Sequence, residues 1–214
     1  TSISAHIRLP EYLQYPDELT KDVRGGTVSI VRGSRVIFTA TATRGLVEFS
    51  VNGEPGEVRG ANLSTTPTEI VESSVLELTW QDQFGLFAKE PFDLKVSAAD
   101  DEAPTITCKQ LAREQVVLDE EVLTFEIDAV DDFGIRSIGI EWEGVEDPLR
   151  NPHPSKGESL LAAGRPQQRD LSVSATFSAK REAIQPQTLR VRLYTVDYLP
   201  SRQRIYSPTY VLHV

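Results

Sequence analysis

Val36-Ile37-Phe38-Thr39-Ala40-Thr41-Ala42 decides the fold. Val36, Phe38, Ala40 and Ala42 alternate with Ile37, Thr39 and Thr41, a period of two rather than 3.6. In extended backbone such alternation sends one set of side chains to a buried face and the other outward. The pattern recurs in Val47, Phe49 and Val51 against Glu48 and Ser50, and in Leu76, Leu78 and Trp80 against Glu77 and Thr79. Phe92, Leu94 and Val96 against Asp93 and Lys95 repeat it again. Glycine-rich turn chemistry separates these runs at Arg24-Gly25-Gly26, Arg32-Gly33-Ser34 and Asn52-Gly53-Glu54-Pro55-Gly56. Helical periodicity is sustained nowhere; Lys180-Arg181-Glu182-Ala183-Ile184 can form a helical turn at most.

The second half follows the same scheme. Leu123, Phe125, Ile127 and Ala129 alternate with Thr124, Glu126 and Asp128; Ile138, Ile140 and Trp142 with Gly139 and Glu141; Leu189, Val191 and Leu193 with Arg190 and Arg192. A last strand is expected near residues 205–214. Leu78-Thr79-Trp80-Gln81-Asp82 aligns with Leu193-Tyr194-Thr195-Val196-Asp197, and each is followed by a loop, a proline (Pro91, Pro208) and a final strand. Many short strands, repeated once, predict an all-β chain of two tandem immunoglobulin-like β-sandwich domains, residues 1–99 and 100–214. Trp142 falls on the third main strand, where such cores often hold a large aromatic. A single large barrel would leave the repeat unexplained. The boundary lies at Asp100-Asp101-Glu102-Ala103-Pro104. Residues 144–170, with Pro148, Pro152, Pro154, Gly157, Gly164 and Pro166, are expected to form a long proline-rich loop.

Bulk properties narrow the function. Thirty-two acids against twenty-two bases in 214 residues give a net charge of -10. Nucleic-acid binding and anionic membrane surfaces call for clustered positive charge, so both are disfavoured. The one cysteine, Cys108, excludes an intrachain disulfide and a CxxC zinc site, and reads as a small buried hydrophobe. No run approaches the roughly 20 apolar residues of a membrane-spanning helix. No signal-peptide pattern opens the chain, and it contains no methionine, so it reads as a piece of a longer or processed protein.

Ala129-Val130-Asp131-Asp132-Phe133-Gly134-Ile135, followed by the strand at residues 138–142, resembles a signature of immunoglobulin-like repeats in large bacterial envelope proteins. These include a domain-of-unknown-function family of membrane-anchored proteins from planctomycete and verrucomicrobial bacteria. The joint Asp101-Glu102-Ala103-Pro104-Thr105-Ile106 and the opening Leu9-Pro10-Glu11-Tyr12-Leu13-Gln14-Tyr15-Pro16 are similar to that family's linker and start. The resemblance implies a periplasmic or cell-surface location and no established activity. The first half departs from it, with Thr43-Arg44-Gly45-Leu46 where the paired aspartates would fall.

Charge is unevenly distributed. Residues 100–147 hold fifteen acids and three bases; residues 148–214 hold four acids and ten bases. One expectation is cross-strand pairing, as of Glu126 and Asp128 with Arg190 and Arg192. The other is a calcium cluster. In a sandwich of this kind the entering chain and two of the loops share one end, which would gather Asp100, Asp101 and Glu102 with Asp131, Asp132 and Asp197. Calcium takes six to eight oxygen ligands, largely carboxylates and carbonyls. Asp-Asp-Glu-Ala-Pro resembles the calcium-rigidified linker of cadherin repeats, although the fuller cadherin pattern is missing. Without an ion, Asp131 and Asp132 read as turn formers.

No catalytic residues are assigned. His6, His153 and His213 lie on separate segments, with no serine or carboxylate placed beside them by the sequence. Glu141 and Glu143 share a strand face, expected to be exposed and without a pocket. Among Tyr12, Tyr15, Tyr198, Tyr206 and Tyr210, the pair Tyr198 and Tyr206 are candidates to stack on a sugar. Asn62-Leu63-Ser64 matches a glycosylation sequon, a triplet that arises often by chance. The expectation is a non-enzymatic structural or interaction module of a larger extracytoplasmic bacterial protein. Its partners would be other domains of the same polypeptide, a protein or a glycan, without nucleic acid and without membrane insertion by this piece.

Overall fold

A computed structural model describes residues 2–147, 151 and 154–214. Pro148, Pro152 and His153 lie outside the described residues. The chain divides into two compact units, Thr1–Asp101 and Glu102–Val214. Both are all-β; the only helical element among the described residues is a 3₁₀ turn at Glu11–Leu13.

The first unit contains β1 (Ser2–Arg8), β2 (Leu19–Asp22), β3 (Thr27–Val31), β4 (Arg35–Thr41), β5 (Leu46–Val51), β6 (Glu54–Pro55), β7 (Glu57–Arg59), β8 (Asn62–Ser64), β9 (Thr68–Glu69), β10 (Ser74–Asp82) and β11 (Phe92–Ala99). One sheet runs β2-β1-β4-β8-β7, with β9 also on β4; the other runs β3-β11-β10-β5-β6. The pairs are antiparallel except β3 with β11, which run parallel from Thr27↔Lys95 to Val31↔Ala99. Arg32 N–H donates to the Ala99 carbonyl (2.8 Å) and Arg32 Nε to Asp100 (2.7 Å). These bonds carry the first unit past Ala99, where the hydrophobic alternation has already faded.

The second unit contains β12 (Thr105–Lys109), β13 (Glu114–Val116), β14 (Leu123–Val130), β15 (Ser137–Gly144), β16 (Lys156–Ala163), β17 (Asp170–Phe177), β18 (Thr188–Val196), β19 (Ile205–Tyr206) and β20 (Tyr210–His213). Its sheets are β12-β14-β17 and β13-β20-β18-β15-β16, with β19 also on β18. Again a short early strand, β13, lies parallel to the last strand β20. The order β3-β11-β10-β5-β6 thus reappears as β13-β20-β18-β15-β16, and β1-β4-β8 as β12-β14-β17. Three strands in one sheet and the third, sixth and last main strands in the other define the immunoglobulin-like sandwich.

Alternation accounts for the core. In β14, Phe125, Ile127 and Ala129 are buried while Thr124, Glu126 and Val130 are exposed. They meet Ile138, Ile140, Leu189, Val191, Leu193 and Leu212 from the other sheet. Trp142 closes one end of this core, edge-on to Phe177 at 5.4 Å. Each such side chain fully buried contributes about 1.5–3 kcal/mol. In the first unit a smaller group, Leu46, Phe49, Leu63 and Leu78, is packed by Trp80 and Phe92.

The stretch 144–170 is not one irregular loop, because β16 lies within it and pairs with β15. Its inward positions hold Gly157 and Ser159, Leu160 points outward and is 61% exposed, and after a register shift Leu161 and Ala162 pack against the core. Small inward residues and the break in register leave this edge strand no sustained alternation to read. Gly157 has a packing reason: a Cβ there would lie 2.4 Å from the Trp142 ring. The expected pairing of Glu126 and Asp128 with Arg190 and Arg192 also fails, since β14 and β18 lie in different sheets. Asp128 instead takes Lys109 Nζ (2.8 Å) and Ser172 Oγ (2.6 Å).

Candidate functional site

Two polar regions of the second unit stand out. The first is the corner where β14 turns into β15. Asp131 is 6% exposed, and its Oδ2 accepts the Phe133 N–H (3.0 Å) and the Gly134 N–H (2.6 Å). That is an aspartate turn, as expected of this residue. The Asp131 amide and the Ile135 amide donate to the carbonyls of Arg169 and Gln168, both at 2.9 Å. This brings the neighbouring backbone so close that a Cβ on Gly134 would lie 2.9 Å from the Gln167 nitrogen. The glycine of Asp-Asp-Phe-Gly-Ile is thus required by close backbone approach. Asp131 Oδ1 is buried and has no hydrogen-bond partner.

Asp197 follows β18 and is 3% exposed. Its Oδ1 accepts the Leu199 N–H (3.1 Å), and its Oδ2 is ion-paired with Arg202. Arg202 also donates to the main-chain carbonyl of Glu102. Carboxylate oxygens of Asp131 and Asp197 lie within 4.8 Å of each other. Of the six acids expected to cluster, the second unit thus joins Asp131 and Asp197. Glu102 enters through its carbonyl rather than its exposed side chain, and Asp132 is half-buried beside Asp131. Asp100 and Asp101 close the first unit, Asp100 being held by Arg32.

Asp82 of the first unit stands where Asp197 does in the second. It is 6% exposed, accepts the amides of Phe84 (2.8 Å) and Leu86 (3.0 Å), and has Arg44 at 3.6 Å. Hydrogen bonding by the Leu86 amide is the largest influence holding its pKa below the usual carboxylate value. The loop it braces displays Phe84, Leu86 and Phe87, all more than half exposed. Sequence reasoning missed this apolar tip, because three apolar residues in a loop carry no period.

The second region is the outer face of the β13-β20-β18-β15-β16 sheet. Glu141 lies directly opposite Glu158 on β16 and opposite Arg192 on β18. Arg192 pairs with Glu141 (2.5 Å), while Arg204 reaches both Glu158 (2.5 Å) and Glu141 (3.6 Å). The Arg204 guanidinium stacks over the Tyr194 ring (4.1 Å) and the Arg192 guanidinium over the Tyr206 ring (4.4 Å). Tyr194 fits because it covers Gly139, its cross-strand partner, where a Cβ would lie 2.2 Å from the ring. Arg204 lowers the Glu158 pKa, chiefly through their hydrogen bond. The guanidinium and carboxylates of this lattice largely satisfy one another.

The sugar-stacking candidates are only partly available. Tyr206 is 38% exposed, but Arg192 covers its ring, Tyr194 meets it edge-on, and its hydroxyl donates to Glu141 (3.0 Å). Tyr198 is half-buried, and burial raises its hydroxyl pKa. Tyr210 is buried. Cys108 is half-buried against the core rather than fully inside it, and burial is the main influence raising its pKa.

The structure corrects the reading of the histidines as isolated. His6 Nε2 lies 2.9 Å from Thr39 Oγ1 and its Nδ1 3.0 Å from Glu18; His213 joins Thr188 (3.0 Å) and Glu114 (2.8 Å). Strand pairing brings these groups together from positions far apart in sequence. The residue types suit a relay, but the setting does not. Thr39 sits within β4, which β1 and β8 flank on both sides, so nearby amides serve the ladder and cannot cradle an oxyanion. An apolar cleft in the first unit, lined by Phe38, Leu46, Phe49, Leu63, Leu78 and Trp80, has a volume of about 140 Å³. Ligand pockets usually hold about 300–1,000 Å³. An open groove of about 890 Å³ over Glu141, Glu143, Glu158, Arg190 and Arg192 falls in that range, which corrects the expectation that Glu141 and Glu143 lack a pocket.

No protein-family model and no curated protein matches the chain. Among solved structures it is similar to the fibronectin(III)-like modules of CbhA from Clostridium thermocellum, at 12% identity over 87% of this chain and 86% of that one, TM-score 0.28. It is also similar to the titin domains Z1Z2 in complex with telethonin (13% identity, 88% and 91%, TM-score 0.36). A protein from Corynebacterium diphtheriae described as membrane-anchored shares 14% identity over 99% of this chain and 58% of that one, TM-score 0.32. Likenesses this distant bear on no functional residue. No helix among the described residues is long and apolar enough to cross a membrane.

Proposed function

We propose that the chain is a non-enzymatic structural module, two tandem immunoglobulin-like domains acting as a spacer in a larger extracytoplasmic bacterial protein. The observation that carries this reading is the parallel pairing, in each unit, of an early strand with the final one, β3 with β11 and β13 with β20. A pull on the two ends of such a unit, once it has passed the first strand (β1 on β4, β12 on β14), runs along these strands. It loads their hydrogen bonds side by side, in shear, instead of opening them one at a time. The extracytoplasmic setting rests on the resemblance of residues 129–135 to envelope-protein repeats. Pulling single molecules from residues 1 and 214 is the test. The expected result is all-or-none unfolding of each unit at high force; gradual low-force unzipping would overturn the spacer reading.

The exposed tip formed by Phe84, Leu86 and Phe87 favours a second reading, docking of another protein domain. Its test is binding to neighbouring domains of the full-length polypeptide with and without Phe84→Ser and Phe87→Ser. Sugar recognition by Tyr198 and Tyr206 is the remaining alternative, checked by glycan-array binding with each tyrosine replaced by alanine.

A further inference from the structure

We propose that the corner of the second unit is a calcium site, held by Asp131 and Asp197 and weakened by Arg202. Asp131 Oδ2 is occupied by two backbone amides, so the carboxylate cannot rotate freely. Its other oxygen is thereby fixed in place, buried, with no hydrogen-bond donor to meet it. A buried carboxylate oxygen without a donor is costly and is met in proteins by a proton, a water or a cation. A carboxylate oxygen of Asp197 lies within 4.8 Å of a carboxylate oxygen of Asp131. Calcium binds oxygen at about 2.3–2.6 Å, so one ion can bridge two oxygens up to that far apart. Magnesium demands near-octahedral geometry and gives up its waters reluctantly, so a corner of fixed carboxylates suits calcium better. Waters and main-chain carbonyls would complete the shell.

Arg202 sets the affinity. Its guanidinium is ion-paired with Asp197, the two side chains being 14% and 2% exposed. An incoming ion competes with that cation for Asp197 and meets a half-neutralised pair of carboxylates. Binding therefore falls in the range of about 10⁻⁴–10⁻³ M typical of extracellular modules. Removing Arg202 removes the competitor.

The test is calorimetric titration of chelator-treated full chain with calcium chloride, and in parallel with magnesium chloride, together with melting temperatures. Wild type is expected to bind one calcium at sub-millimolar to millimolar concentration, more tightly than magnesium, and to melt higher with it. Asp131→Asn keeps the turn acceptor, since asparagine forms the same turn, and is expected to lose binding while staying folded. Arg202→Gln is expected to bind about tenfold more tightly. No heat and no melting shift in wild type, or calcium binding unchanged in Asp131→Asn, would overturn the proposal. So would equal binding of the two metals. If Arg202→Gln does not fold, the Asp131→Asn comparison decides alone. Failure of the calcium site leaves the spacer reading untouched, because the same force measurement on chelator-treated protein tests that reading without any ion.

Discussion

Arg204→Ala tests whether the outer lattice of the second unit is an energetic unit or a set of incidental surface pairs. Glu141 and Glu158 face each other across β15 and β16, and directly opposed like charges destabilise a sheet. Arg204 bridges both and stacks on Tyr194. Its side chain is 36% exposed, so the ion pairs must be discounted for solvent screening. A cation–π contact at a partly exposed site is worth about 0.5–1 kcal/mol, and a screened pair to Glu141 about 0.2–1 kcal/mol. Truncation should cost about 1–2 kcal/mol. The assay is urea unfolding followed by Trp142 fluorescence in a Trp80→Phe background, which silences the first unit. With a slope of about 1–3 kcal/mol/M, the midpoint should fall by about 0.3–2 M. Adding Glu158→Gln to Arg204→Ala should recover part of the loss, because it removes the like-charge pair. A loss below about 0.3 kcal/mol, or no recovery in the double variant, would refute the reasoning.

Gly157→Ala should destabilise the second unit by about 1–3 kcal/mol in the same assay, because its Cβ meets the buried Trp142 ring at 2.4 Å. Phe177→Ala removes the edge-on partner of Trp142 and should cost about 3–5 kcal/mol; a cost under 1 kcal/mol would contradict the packing described. The carboxylates of Asp82, Asp128 and Glu158 have folded pKa values below the ordinary 3.8 and 4.5, through hydrogen bonds from the Leu86 amide, Lys109 and Arg204 respectively. A depressed folded pKa gives stability that is present above the unfolded value and is lost as pH falls through the folded one. Their contribution should therefore be constant from pH 7 to pH 5, begin to fall near the ordinary carboxylate values at about pH 4 and vanish only below the lowered folded values, which melting temperatures by circular dichroism against pH would show.

Legibility in the sequence followed a simple physical rule. Strands with one apolar and one polar face, such as β4, β10, β14, β15 and β18, announce themselves by alternation, and they contain the residues from which alternation predicts them except Ala42, one residue past β4. An edge strand has little to bury. β16 therefore carries glycine and serine inward over its first half, and a register shift between Leu160, which is exposed, and Leu161, which packs on the core, breaks its period. The acidic corner was half legible. Aspartates at turns are local signals, so Asp131 and Asp197 could be marked from the sequence. Arg202 could not, because its role depends on a loop folding back five residues onto Asp197 and on the Glu102 carbonyl being near. The threonine–histidine–glutamate contacts are invisible for the same reason, since Thr39 meets His6 only through strand register.

The charge asymmetry shows how local and global information combine. Fifteen acids in residues 100–147 and ten bases in residues 148–214 look like opposed blocks that must meet. Which acids meet which bases is settled by strand order alone. β14 and β15 are consecutive in the chain, yet β14 joins one sheet and β15 the other, beside β18. Glu141 and Glu143, not Glu126 and Asp128, consequently face Arg192 and Arg190. The connection after β15 then returns as β16 and sets a second glutamate, Glu158, against Glu141, creating a repulsion that the pairing of blocks alone does not foresee. Arg204 answers it from a loop, and it can reach across only because Gly139 leaves room for the Tyr194 ring on which it rests. A single side chain at position 139 would displace Tyr194, withdraw the support of Arg204 and leave two glutamates face to face, so this small residue links the packing of the sheet to the neutrality of its surface.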